Sequence, residues 1–227
     1  MRTAALASAL FLAFGLGCAR REAPTTRPVG EIPAPVAANE PAPRKESAEV
    51  REVSPPPTTP SIYDLEVSLR DEHGVVRRLD AFRGHPVLIT MFYGSCASAC
   101  PLLTSDLKRI ERQIPEPARS DVRILMVSFD ARRDTPSVLA RLKRERDVDA
   151  ARWTFASTPD DQARELAGVL GIRYRALDGG EFFHSSVIVL LDREGRPFVK
   201  LDGLGGDVDS IVNALPKLAA LPPRGRI

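Results

Sequence analysis

The sequence predicts an α/β domain built on a central mixed β-sheet flanked by helices, and three observations predict it. Val87–Tyr93 and Val122–Phe129 are nearly continuous apolar runs, the pattern of strands buried on both faces. Segments with apolar residues at helical spacing alternate with these runs. Near the end, two further strand-like runs, Ser186–Leu191 and Pro197–Leu201, flank Asp192-Arg193-Glu194-Gly195 as a hairpin would. Strands alternating with helices and then pairing in a hairpin give a mixed sheet.

Residues 1–18 stand apart from this pattern. Arg2 precedes an apolar stretch, Ala4–Leu16, that fits the h-region of an export signal and is too short for a comfortable membrane span. It ends Gly15-Leu16-Gly17-Cys18, small residues followed by cysteine, which is similar to a bacterial lipobox. Residues 1–18 are therefore expected to be a lipoprotein-type signal peptide, with Cys18 as the lipidated residue. Residues 19–60 hold ten of the chain's twenty prolines, and their apolar residues are small and aperiodic. They are expected to form a disordered, semi-rigid tether. The domain is expected over 61–221, with 222–227 as a C-terminal tail. This arrangement places the domain in the cell envelope, lipid-anchored to a membrane and facing the periplasm or extracytoplasmic space.

Within the domain, Leu65, Val67 and Leu69 alternate with polar residues, and Val75–Leu79 follows a Gly-containing turn, so an N-terminal hairpin is expected. After Val87–Tyr93, Gly94–Ala99 reads as a loop and Pro101 as a first helical residue. Leu103, Leu107, Ile110 and Ile114 make that helix's apolar stripe, which ends at Pro115 and Pro117. Thr135-Pro136 opens a second helix carrying Val138, Leu139 and Leu142. Trp153–Ser157 is a short strand, with Trp153 expected in the core or in partly buried packing. Thr158-Pro159-Asp160-Asp161 opens a third helix, with a capping hydroxyl and an N1 proline, and Gly171 closes it. Ile172–Ala176 reads as extended, and a last helix covers Val208–Leu218.

Thirty-two basic and 30 acidic residues leave a net charge of +2, with no block of one sign. Bulk electrostatics therefore point to no nucleic-acid partner. The chemistry concentrates instead in Cys96 and Cys100. They are four residues apart, where a buried strand passes into a helix, and a helix start favours thiolate over thiol. If the first turn includes both, they share a face. Spacing alone leaves three roles open: a structural disulfide, thiol–disulfide exchange, or binding of a soft metal.

Phe92-Tyr-Gly-Ser-Cys-Ala-Ser-Ala-Cys-Pro101 resembles the Sco/SenC signature, an aromatic pair and two variable residues before C-x₃-C-P. Ser128-Phe-Asp-Ala-Arg-Arg-Asp-Thr-Pro136 resembles that family's second segment. His184-Ser-Ser-Val-Ile-Val-Leu-Leu-Asp-Arg-Glu-Gly195 resembles its third, a histidine opening a strand. The three occur in the family's order. Two departures stand out: Ala97-Ser98 where Pro-Asp is frequent, and Phe183 where an acid commonly precedes the histidine. The resemblance implies a thioredoxin-like fold and one copper site made of Cys96, Cys100 and His184. It implies a copper chaperone that helps assemble the copper centre of cytochrome c oxidase, with that oxidase's copper-site subunit or another periplasmic copper protein as partner. The alternative it leaves is a periplasmic thiol–disulfide oxidoreductase in which Cys96 and Cys100 are catalytic. Two thiolates and an imidazole suit Cu(I), and a further ligand could accommodate Cu(II).

Asp130, Arg133 and Asp134 are expected to form a loop salt bridge and a cap for the helix at Thr135-Pro136 rather than to support the thiols. Phe92 and Tyr93 are expected as core and site wall. His73, in a turn, and His85, before a proline, are expected to face solvent.

Overall fold

The apolar runs become the middle of the sheet because both their faces are covered. The computed structural model describes residues 50–52 and 60–220. In chain order its elements are β1 (Val50–Glu52), β2 (Ser68–Asp71), β3 (Val76–Arg78), β4 (Val87–Phe92), α1 (Ala99–Gln113), α2 (Ala118–Asp121), β5 (Arg123–Ser128), α3 (Pro136–Glu145), β6 (Trp153–Ser157), α4 (Asp160–Leu170), β7 (Tyr174–Ala176), β8 (Phe182–His184), β9 (Val187–Leu191), β10 (Pro197–Asp202) and α5 (Asp209–Ala220). Eight strands form one sheet in the order β1-β10-β9-β4-β5-β6-β2-β3, and β7 and β8 pair separately. β4, β5 and β6 run parallel, and the other neighbours in the large sheet are antiparallel, which makes the expected mixed sheet.

β4 is buried at all six positions, β9 at all five and β5 at five of six, as strands covered on both sides must be. Their one polar intruder in β4, Thr90, is satisfied by donating to the Val187 carbonyl at 2.6 Å. The helices flanking the sheet bury the stripes read from the sequence: Leu103, Leu107 and Ile110 on α1, Leu139 and Leu142 on α3, and Ala163, Leu166 and Leu170 on α4. Gly171 ends α4 in the left-handed conformation (φ 67°), where an L side chain would be strained. No helix among the described residues is long and apolar enough to cross a membrane.

Several expectations need correction. Val50–Glu52 lies in the expected tether, yet it pairs with Val199–Leu201 along the β10 edge. The thermodynamic reason is local: an unpaired sheet edge offers backbone partners even to a segment with little to bury. Apart from Pro60, the remaining expected signal, tether and tail residues, including Cys18, lie outside the described residues. Thr158 does not cap α4. Pro159 occupies the cap position, and the Thr158 hydroxyl turns to the Gln162 side chain at 3.3 Å. His85 is only partly exposed, because its Nδ1 lies 2.7 Å from Asp121 Oδ1. His73 is exposed as expected, and Trp153 is 1% exposed.

One buried ion pair crosses from the N-terminal hairpin to α3. Lys143 bonds Glu72 and donates to the carbonyls of Trp153 (2.6 Å) and Ala150 (3.1 Å), while Glu72 accepts the Phe155 amide at 3.0 Å. Both residues are under a tenth exposed.

Candidate metal centre

β4 carries the chain through the core and delivers Tyr93, Gly94 and the thiol loop beyond its carboxyl end. The loop is held there by Asp134. This carboxylate is 2% exposed, accepts the Gly94 amide at 2.8 Å and accepts the Ser128 hydroxyl. Burial pushes the Asp134 carboxyl up, against the pull of those two donors. The expectation for this segment holds for Asp130 and Arg133, which pair with each other. It fails for Asp134, which buttresses the thiol loop, and Thr135 makes no side-chain cap. The reason is geometric: β4 and β5 are adjacent parallel strands, so the loops after them meet at one rim.

Gly94 is needed for this contact. A Cβ there would overlap Asp134 Oδ1 and come within 2.9 Å of Leu142 Cδ1. Gly94→Ala is expected to lower stability by about 1–3 kcal/mol, read as a fall in the urea midpoint. An unchanged midpoint would show that the loop can yield without loss.

Only Cys100 lies inside α1. Cys96 precedes the helix, so the two thiols do not share a helical face as a shared first turn would have required. They are joined another way. The Cys100 amide, one of the unpaired donors of the helix start, donates to Cys96 Sγ at 3.4 Å, so the sulfur acts as a cap. Both cysteines are free and buried. Cys100 Sγ lies 3.9 Å from His184 Nε2, and the ligand atoms of Cys96, Cys100 and His184 all fall within 4.8 Å of one another. The structure thus brings together all three residues singled out from the sequence.

His184 arrives differently from the expectation. It does not open the strand that continues to Leu191. It ends β8, whose partner is β7, with Tyr174 opposite His184. The polar pair Ser185-Ser186 interrupts the apolar run, and Ser185 turns to bond Arg173 through both its amide and its hydroxyl (2.8 and 3.0 Å). The imidazole stands edge-on to Tyr93 (5.7 Å between centroids) and Phe129 (5.6 Å). Its Nδ1 lies 3.3 Å from the Ser185 carbonyl. That contact ties the Nδ1 side of the ring to the backbone and leaves Nε2 as the nitrogen that faces the thiols.

The two sulfurs differ electrostatically. Burial pushes the Cys96 thiol up, but hydrogen bonds from His184 and from the Cys100 and Ser98 amides overcome it and hold the group at about 6. Burial pushes the Cys100 thiol well above the usual range, and the neighbouring Cys96 sulfur adds to the rise. In the reduced, metal-free protein, iodoacetamide should label Cys96 at a rate that climbs through a midpoint near pH 6. Cys100 should stay unlabelled at neutral pH. Equal labelling of both thiols would contradict this asymmetry.

Two thiols, one of them ready to ionise, and an imidazole converge on one point. That donor set fits a soft monovalent ion. The family model described as SCO1/SenC matches residues 57–220. The chain belongs to the SCO1/SenC family. A SCO2-like protein of Rickettsia typhi is 24% identical over 134 residues, 56% of this chain and 64% of that protein, so the chain spans just under two thirds of this relative. The crystal structure of Arabidopsis thaliana ScoI with copper bound superposes with a TM-score of 0.58 at 22% identity, over 67% of this chain and 94% of that one. Yeast Sco1 with copper bound gives 0.57 at 18% identity, over 69% and 88%. At these identities the likeness is one of fold, the thioredoxin-like fold of Sco proteins.

In this SCO1/SenC domain, sequence reasoning missed part of the site's surroundings. Phe129, Tyr174 and Phe182 pack around Tyr93 and His184, with Phe129 stacked on Tyr174 at 4.5 Å and 5.1 Å from Phe182. Glu181 accepts the Tyr93 hydroxyl at 2.7 Å. Period-two spacing of Phe182 and His184 was the available signal that both face one way.

Proposed function

We propose that this protein is a copper chaperone. It binds Cu(I) as cargo through Cys96, Cys100 and His184 and passes it to the copper centre of cytochrome c oxidase, or to another copper protein of the envelope. The carrying observation is the convergence of two sulfurs and one imidazole within 4.8 Å. The copper-bound state of two fold relatives supports the choice of metal. Bound copper would supply a soft, exchangeable centre that accepts thiolate and imidazole donors. The chain's own residues do the rest. Cys96 offers a thiolate near neutral pH, Cys100 loses its proton as it binds, and the Ser185 carbonyl holds the His184 ring with Nε2 towards the thiols. A recipient's thiols or imidazoles then replace these donors one at a time. The same reading puts the domain outside the cytoplasm, lipid-anchored through Cys18.

The test is anaerobic titration with Cu(I) against a chelator of known affinity, for the wild type and for Cys96→Ala, Cys100→Ala and His184→Ala. One equivalent bound by the wild type and none held by the cysteine variants is the expected outcome. Undiminished binding in all three variants would refute the site.

A second reading, thiol–disulfide exchange, is favoured by the unequal thiols, since an ionised Cys96 beside a protonated Cys100 is an attacking and resolving pair. Catalytic reduction of a target disulfide by the metal-free protein, abolished in Cys96→Ala, would select it over copper transfer.

A further inference from the structure

Cys96 and Cys100 sit in the loop and helix that follow β4, whereas His184 is carried by the separate β7–β8 ribbon. The β7–β8 hairpin pairs with itself and with no strand of the eight-stranded sheet. None of its six strand residues is buried. A two-stranded ribbon of this length has little stability of its own. What holds it in place is therefore a question of its side chains.

Its apolar attachments are Phe182, which packs on Tyr93 at 5.2 Å and on Phe129 at 5.1 Å, and Tyr174, stacked on Phe129 at 4.5 Å. Aromatic packing of this kind is broad and tolerates sliding. Arg133 and Arg164 lie over the Phe182 and Tyr174 rings, and among the described residues one hydrogen bond besides the ligand contact ties a hairpin side chain to the body. Tyr93, at the end of β4, donates its hydroxyl to Glu181, at the start of β8's approach. Tyr93 is 4% exposed, so its phenol is fixed in the wall of the site, three residues before Cys96. Glu181 lies three residues before His184. The bond therefore joins the thiol-bearing loop's root to the histidine's ribbon, and Tyr93 also touches the imidazole edge-on.

We propose that the Tyr93–Glu181 hydrogen bond is a clasp that holds the β7–β8 hairpin closed and thereby sets how fast His184 leaves the two thiols. The proposal rests on the copper reading and adds to it the element that governs release of the cargo. Glu181 is a positioning residue and touches no metal ligand itself. With the clasp made, the imidazole stays over the sulfurs. With it broken, the hairpin swings on the Arg173–Ser185 base, and a recipient needs to displace only the two sulfurs.

The experiment compares the wild type with Tyr93→Phe, Glu181→Ala, Glu181→Gln and the double variant Tyr93→Phe/Glu181→Ala. Amide hydrogen exchange across 174–184 is measured in the metal-free, reduced proteins, and Cu(I) release to a chelator in the loaded ones. Tyr93→Phe and Glu181→Ala are each expected to speed both by about three- to tenfold, the factor one net hydrogen bond supplies. The double variant should be no faster than Tyr93→Phe alone, because that variant already removes the phenol's bond to Glu181 along with its contact to the Phe182 backbone. Glu181→Gln should stay near the wild type, since its amide oxygen also accepts a phenol proton. Additive effects, or Glu181→Gln as fast as Glu181→Ala, would overturn the clasp. So would faster exchange without faster release. If exchange responds as expected but no protein in the set binds copper, the clasp on the hairpin stands and the copper reading alone falls.

Discussion

His184→Ala is expected to weaken Cu(I) binding by more than about a hundredfold while leaving the unfolding midpoint close to that of the wild type. The size follows from coordination. Loss of partners that merely orient a ligand costs about 10–100-fold in metal affinity, and loss of the ligand itself exceeds that. The selectivity follows from location. The imidazole is half-buried on a hairpin outside the large sheet, so its removal opens no cavity in the main core. The same variant carries an internal control. In the wild type, burial raises the Cys96 thiol and the His184 hydrogen bond opposes it. Removing the imidazole leaves burial less opposed, so the Cys96 thiol must rise and its alkylation at pH 6.5 must slow. Chelator competition gives the affinity, urea denaturation the stability and timed labelling the thiol. A variant that lost affinity and stability together would mean that the ring supports the fold instead of the metal.

Lys143→Met is expected to destabilise the domain by about 3–5 kcal/mol, the cost of leaving a buried carboxylate without its counter-charge. Lys143 spends its three protons on Glu72 and on the carbonyls of Trp153 and Ala150, so the variant strands those acceptors as well. Glu72→Gln/Lys143→Met removes both charges and keeps the Phe155 amide satisfied by the glutamine oxygen. It should therefore recover a good part of the loss. Denaturant midpoints of the two single variants and the double one close the cycle. A double variant no more stable than Lys143→Met would show that the pair contributes through packing of the lysine stem. Copper binding by the folded fraction should persist, since the pair touches none of the three ligands.

The strands most easily read in the sequence were those buried on both faces. Val87–Phe92, Arg123–Ser128 and Val187–Leu191 need no partner to be recognised, because an apolar run of that length has few other homes. The helices were legible from their stripes for the same reason. The β7–β8 hairpin was harder. Its six strand residues are partly or fully exposed, so neither alternation nor an apolar run marks it as a pair, and its packing depends on Phe129, about fifty positions upstream. The role of Asp134 was hidden likewise. A carboxylate in a loop after a strand looks like a cap, and only the adjacency of β4 and β5 turns it towards Gly94, forty positions away. Cys96, Cys100 and His184 were found through the resemblance of three ordered segments. Spacing alone had left the thiol pair with three possible roles.

The outermost strand on one side, β3, exposes all three of its residues, and two of them are arginines. Arg77 pairs with Asp71 and Arg78 with Glu66, so each cation is anchored beside the open backbone groups of that rim. A second chain trying to extend the sheet there would have to strip water from both guanidinium groups and crowd these ion pairs. Charged rims of this kind discourage growth into larger β-assemblies. On the opposite rim, the chain supplies its own last strand, Val50–Glu52, before any foreign one can dock.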